Sequence, residues 1–256
     1  MNSLKDKVVL ITGASSGIGR STAEAFATKG AHIVVAARRK DKLDSLVASI
    51  EANGGKASAI QTDVSNSKSV AQMVAHAIEV FGRLDYAVNN AGIEGELASI
   101  IELSEEAWDK VMNINLKGVF LCMKHQAKAM IASGHGGSIV NVGSVNSFLG
   151  FPTGSAYVTS KHGLVGLTTS VSAELAPQGI RVNLLCPGIT VTPMHHRIRE
   201  LIGDEVYDQG ILPKVHLQRA GLPEEMANAI IFLCSDASSY ISGSTLTVDG
   251  GLTLTM

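Results

Sequence analysis

The chain has 256 residues, a formal net charge of −2, 45% hydrophobic residues and 17% charged residues. Such a composition can bury a large core and is not that of a disordered chain, and without basic runs nucleic acid and membrane surfaces are not expected partners. The segment Met1 to Lys7 carries no signal-type apolar stretch, and no apolar run approaches the ~20 residues of a membrane span, so a cytoplasmic protein is expected.

The first predicted strand, 7–12, runs into Thr12-Gly13-Ala14-Ser15-Ser16-Gly17-Ile18-Gly19 and then at once into a helix, 17–29. Glycines between the first strand and first helix of a βαβ unit permit a tight turn and close backbone approach, and the helix start offers free N–H groups to a pyrophosphate. The second strand, 32–37, ends on Arg38 and Arg39. An acidic residue near that place would bond a ribose 2′-hydroxyl, whereas a guanidinium pairs with a 2′-phosphate, so NADP(H) is expected over NAD(H), with Ser15 adding a hydroxyl contact.

Further strands are predicted over 57–61, 84–89, 138–143, 180–186 and 245–248, with helices over 40–52, 67–81, 105–132, 156–175 and 223–235. The strands are apolar throughout instead of alternating, as in a parallel sheet covered on both faces. The alternation runs without a linker, which predicts one doubly wound, Rossmann-type α/β domain over 1–256 with seven strands. Residues 189–222 break the rhythm with Pro193, Pro213 and two adjacent histidines, and read as a lid over a cleft. His195 and His196 lack neighbouring cysteine or carboxylate partners, so no metal site is expected and they read as solvated lid residues. Cys122, Cys186 and Cys234 lie far apart in apolar contexts and read as reduced, buried thiols.

The chemistry is concentrated in Ser144, Tyr157 and Lys161. Tyr157 and Lys161 are four apart in a predicted helix and so share a face, and Ser144 follows a predicted strand. A fixed ammonium beside a phenol favours the phenolate and is expected to lower the Tyr157 pKa. Such a phenol can exchange a proton with a carbonyl or alcohol oxygen that a serine hydroxyl also holds.

With Asp63-Val64, Asn89-Asn90-Ala91-Gly92, Asn115, and Pro187-Gly188 with Thr192 added in order, the chain resembles a classical short-chain dehydrogenase/reductase over essentially its whole length. That resemblance implies Tyr157 as general acid or base, Lys161 as the group that lowers its pKa and holds the nicotinamide ribose, and Ser144 as the holder of the substrate oxygen. It implies that Asn115, in preference to the nearby Asn113, holds a water linking the lysine to solvent. Asp63 and Val64 would meet the adenine, Asn90 would lie along the adenosine ribose, and Ile189 and Thr192 would contact the carboxamide. The turn residues from Gly13 to Gly19, together with Ala91, Gly92, Pro187 and Gly188, complete the implied cofactor site. The tail around Tyr240 to Gly251 implies a subunit interface and a homotetramer.

The wall after Ser144, Val145 to Pro152, is mainly apolar, with Glu94 and Glu96 in the preceding loop, and favours a neutral, fairly hydrophobic ketone or secondary alcohol as substrate. Three other readings stay open: a 3-oxoacyl carrier-protein reductase, for which Lys124 and Lys128 are present but the loop after Ser144 departs from that subgroup; a sugar or polyol dehydrogenase; and a regulator that senses the cofactor without turnover.

Overall fold

In the computed structural model, which describes residues 4–254, seven parallel strands form one sheet in the order β3-β2-β1-β4-β5-β6-β7. The strands are β1 (Val8–Thr12), β2 (His32–Ala37), β3 (Lys56–Gln61), β4 (Tyr86–Asn89), β5 (Gly137–Val142), β6 (Ile180–Pro187) and β7 (Thr245–Val248). The chain builds outward from β1 to β3, returns to place β4 beside β1, and continues to β7. Parallel neighbours require crossovers, and the helices that supply them cover both faces.

Alternation within each strand explains why nearly every strand position is apolar. Val9 and Ile11 point into one core with Ile33, Val35, Val88, Val140 and Leu185, beneath α1 (Gly17–Ala27), α2 (Lys40–Ala52) and α8 (Pro223–Cys234). Leu10 points the other way, with Val34, Ala87, Ile139, Val182 and Leu184, beneath α3 (Ser67–Phe81), α5 (Gly118–Ser133) and α6 (Ser155–Leu175). The three cysteines are free and buried, as expected. Among the described residues no helix is long and apolar enough to cross a membrane. Met1 to Ser3, part of the segment read above for a leader, lie outside the described residues.

Two predicted elements differ. The single helix expected over 105–132 is three pieces: α4 (Glu105–Met112), a π-helical turn (Asn113–Lys117) and α5. Ser104 starts α4 by accepting a hydrogen bond from the Ala107 N–H at 3.1 Å. The excursion 189–222 is not irregular but contains a helix, α7 (Pro193–Ile202), followed by a π-helical turn (Val206–Ile211). Thr192 caps α7 by accepting from His195 N at 3.2 Å, and Pro193 occupies its first turn, where no intrahelical N–H is needed.

Candidate active site

The strand order reverses between β1 and β4, and in open α/β sheets the cleft forms at the carboxyl ends of strands where this occurs. The glycine turn lies there. Gly13 has φ +67°, and a Cβ on it would come within 2.8 Å of Ala91 Cα; Gly17 has φ +55°, with Thr192 Cγ2 3.1 Å from the same notional atom. Both glycines therefore combine a left-handed backbone with a close neighbour, which a side chain would push away. Gly19 and Ile18 enter α1, whose first turn carries no acidic residue to oppose an anion at its positive end.

Asn90 braces this turn. Its Nδ2 donates to the carbonyls of Thr12 at 3.1 Å and Gly13 at 3.2 Å, while Thr12 Oγ1 accepts from the N–H groups of Asn90 and Ala91. The side chain expected along the adenosine ribose is thus committed to the turn itself. Arg39 Nη2 donates to Ser15 Oγ at 2.8 Å and Ser16 Oγ at 2.9 Å, so a guanidinium and two hydroxyls converge above the glycine turn. The backbone carbonyl of Arg38, the other arginine expected at the 2′-phosphate, accepts from Gln61 Nε2 at 2.8 Å and leaves its guanidinium uncommitted by that bond. The donor set and the side-chain-free glycine cradle fit the phosphates of a dinucleotide, with Arg39, Ser15 and Ser16 suited to a 2′-phosphate.

Asp63 Oδ1 accepts from the N–H and hydroxyl of Ser65, and buried Val64 lies against Gly118 at the start of α5. At the end of β6, Gly188 N donates to Val248 O at 3.0 Å, and a Cβ on Gly188 would lie 2.7 Å from Asp249 Cα, so Pro187 and Gly188 bring the chain tightly past β7. Ile189 O accepts from Gly221 N at 2.8 Å, which ties the two ends of the excursion together.

Ser144 stands just past β5 and Tyr157 in the first turn of α6. The Ser144 hydroxyl lies close enough to the Tyr157 phenol to favour its ionised form. Ser144 Oγ also accepts from Asn146 N at 3.2 Å and donates to Asn146 Oδ1 at 3.3 Å. Lys161 lies one turn below Tyr157, only 5% exposed, and its Nζ donates to Val142 O at 2.8 Å. That bond locks α6 to β5 at the level of Ser144. Burial brings the Lys161 pKa down to about 8, with a smaller upward pull from Cys186. Burial also pushes the Tyr157 phenol above its ordinary value, the nearby Ser144 hydroxyl pulls it back, and the charges of Glu94 and Cys186 push it up again. The lowering by Lys161 expected from the spacing is absent: a lysine this dry is itself reluctant to carry charge.

Asn115 is fully buried within the π-turn. Its Oδ1 accepts from Ile93 N at 2.9 Å and its Nδ2 donates to Ile93 O at 2.9 Å and Ser160 Oγ at 3.2 Å. The extra residue in the turn therefore delivers a side chain that pins the loop after β4 to α6. Gly92 faces the same place, a Cβ there lying 3.3 Å from Asn115 Oδ1 and 3.8 Å from Lys161 Nζ.

Several contacts around the site escaped the sequence reading. Asn89, Gln126, Asn141 and Thr168, none more than 1% exposed, form a network beneath the site: Asn89 Nδ2 donates to Asn141 Oδ1 at 3.0 Å, Gln126 Nε2 to Asn89 Oδ1 at 2.8 Å, and Asn141 Nδ2 to Thr168 Oγ1 at 3.0 Å. Asn141 in the middle of an apolar strand was the available signal. Burial holds the Cys186 pKa up, while the nearby Ser147 hydroxyl, the Ser144 backbone and the charge of Lys161 pull it down. His195, expected to be solvated, has both ring nitrogens buried without partners and its ring edge-on to Tyr207 at 5.1 Å, whereas His196 is exposed.

A family model described as enoyl-(acyl carrier protein) reductase matches residues 13–253. The chain is 41% identical over 253 residues to the short chain dehydrogenase/reductase astE of Aspergillus oryzae, covering 98% of this chain and 97% of that protein. It is 41% identical over 251 residues to a 3-oxoacyl-acyl-carrier-protein reductase of Thermotoga maritima, covering 98% and 99%. A solved structure of an Agrobacterium tumefaciens protein, described as a 2-deoxy-D-gluconate 3-dehydrogenase with bound NADP, superposes with a TM-score of 0.90 at 35% identity and covers 99% of this chain and all of that one. With the sheet order, the glycine turn and the Ser144, Tyr157 and Lys161 constellation, these matches place the chain in the classical short-chain dehydrogenase/reductase family of oxidoreductases.

Proposed function

We propose that the protein is an NADP(H)-dependent carbonyl reductase of neutral, fairly hydrophobic ketones or aldehydes. The observation that carries this reading is the Tyr157 phenol, near enough to Ser144 to feel its hydroxyl and with Lys161 Nζ 5.7 Å from its ring centre. Bound NADPH supplies the hydride. Tyr157 gives its proton to the carbonyl oxygen as negative charge develops there, and the Ser144 hydroxyl donates to the same oxygen and stabilises that charge. A positioned general acid contributes about 10²–10⁴ in rate. A phenol held above its ordinary pKa keeps its proton at neutral pH, which suits the reducing direction. Lys161 holds the nicotinamide ribose and, once charged, favours the phenolate left behind. Asn115 keeps the Ile93 loop and α6 in register and holds the water that links Lys161 to solvent.

NADP(H) is favoured over NAD(H) by Arg39 with Ser15 and Ser16 and by the NADP bound in the Agrobacterium relative. Asp63 and Val64 take the adenine end and Ile189 with Thr192 the carboxamide end. Phe148 and Phe151, both exposed beside Ser144, give the substrate wall its apolar character. The protein acts as a cytoplasmic homotetramer, a reading that exposed Phe120 and Tyr240 support. The Thermotoga relative keeps a carrier-protein thioester in view as a second substrate class. Tyr157→Phe tests the reading: turnover is expected to fall below a tenth while NADPH binding persists, and activity above a tenth would overturn it.

A further inference from the structure

No residue of α7 is fully buried; on its inner side the His195 ring meets Tyr207 edge-on at 5.1 Å. Arg199 ties its last turn to Asp204 and Asp208, and toward the cleft the helix is fixed at two further points. At its start, Thr192 and Pro193 lie against Gly17 of the glycine turn, within 3.1 Å and 3.8 Å of a Cβ built there. One turn on, Arg197 reaches the loop after β4, Nε donating to Glu94 Oε1 at 2.6 Å and Nη2 to Glu94 Oε2 at 3.1 Å. Glu94 has a rigid base, because Asn115 grips both backbone groups of the preceding Ile93. Its carboxylate lies close enough to Tyr157 for its charge to act on the phenol. Partial burial works most strongly against the Glu94 charge, but the hydrogen bond and charge of Arg197, together with a backbone hydrogen bond at Glu94 itself, outweigh it and hold the carboxyl below its usual range.

We propose that Glu94 and Arg197 form a clasp that fastens α7 across the substrate cleft, and that Arg197 is a positioning residue that holds the cleft closed on the carbonyl substrate. The proposal rests on the carbonyl-reductase reading of this cleft. An isolated exposed pair is worth a factor of about five at most, and the Arg197 side chain is 53% exposed. The two-pronged geometry of this pair raises it above that level, because less is lost to side-chain freedom.

The test compares wild-type protein with R197M, E94Q, the double variant E94Q/R197M and the exchanged pair E94R/R197E. Hydrogen–deuterium exchange is followed over 193–202, and steady-state kinetics are measured at saturating NADPH. In each single variant α7 amides should exchange at least threefold faster while those of β4 and β5 do not change. KM for the carbonyl should rise at least threefold, KM for NADPH should stay within twofold, and the double variant should be no worse than the singles. The exchanged pair should restore slow exchange. Unchanged α7 exchange in both singles, or additive effects in the double variant, would overturn the clasp. If the wild type reduces no carbonyl, the functional reading fails, while the exchange data still decide whether the clasp exists.

Discussion

The Lys161 ammonium lies 5.7 Å from the centre of the Tyr157 ring and spends its one short hydrogen bond, 2.8 Å, on the Val142 carbonyl. The pair is thus arranged by α6 docking on β5 before any charge on the phenol is needed. Such a placement costs stability, because the ammonium is removed from water with a single carbonyl as partner.

The sign of that cost follows from the pKa. Lys161 is brought from 10.5 down to about 8, so between those values the unfolded chain binds more protons than the folded one, and stability rises with pH across that window. Below about pH 8 the full penalty is present, at most about 3 kcal/mol. Lys161→Met should therefore unfold several degrees higher than wild type at pH 7, lose that advantage as pH rises toward 10.5, and be catalytically dead. Thermal unfolding at pH 7 and 10 measures it; a destabilised variant at pH 7 would contradict the assignment.

Arg39→Asp should remove the guanidinium that Ser15 and Ser16 now hold and place a carboxylate where it accepts a hydrogen bond from a ribose 2′-hydroxyl. The NADPH to NADH ratio of kcat/KM is expected to fall at least tenfold, with Arg38→Asp having the smaller effect. Equal ratios in wild type and Arg39→Asp would remove the basis for NADP preference.

Asn115→Ala leaves the Ile93 N–H and C=O without their partners in a dry site, a loss of about 3 kcal/mol. Urea unfolding should register that loss, and kcat should drop at least tenfold as the loop beside Lys161 slackens. A midpoint equal to wild type would show that water replaces the carboxamide at no cost.

The assembly is testable without substrate. Static light scattering should give four times the chain mass of 26.8 kDa, and a single-chain mass would refute the tetramer.

What the sequence disclosed and what it hid have physical causes. Apolar runs such as Val8–Thr12 and the positive-φ glycines at 13 and 17 are local signals, and they fixed the doubly wound sheet and its turn. Ser144, Tyr157 and Lys161 were legible because two of them share a helical face. The π-turn at Asn113–Lys117 was hidden, since one added residue barely alters helical periodicity. Helix α7 lies inside the excursion read as a lid, and the proline directly after the Thr192 cap was an unused start signal for it. The Glu94 to Arg197 pair spans 103 positions, and nothing local announces it. The sense of the Tyr157 shift was misjudged because spacing shows a neighbouring charge but not the burial that opposes it.

The most direct measurement of the central claim is the initial rate of NADPH and NADH oxidation, side by side, against ketones, diketones, aldehydes and acyl thioesters. Faster turnover with NADPH on bulky apolar ketones is the predicted result. Equal or faster turnover with NADH, or activity confined to acyl thioesters, would contradict the account.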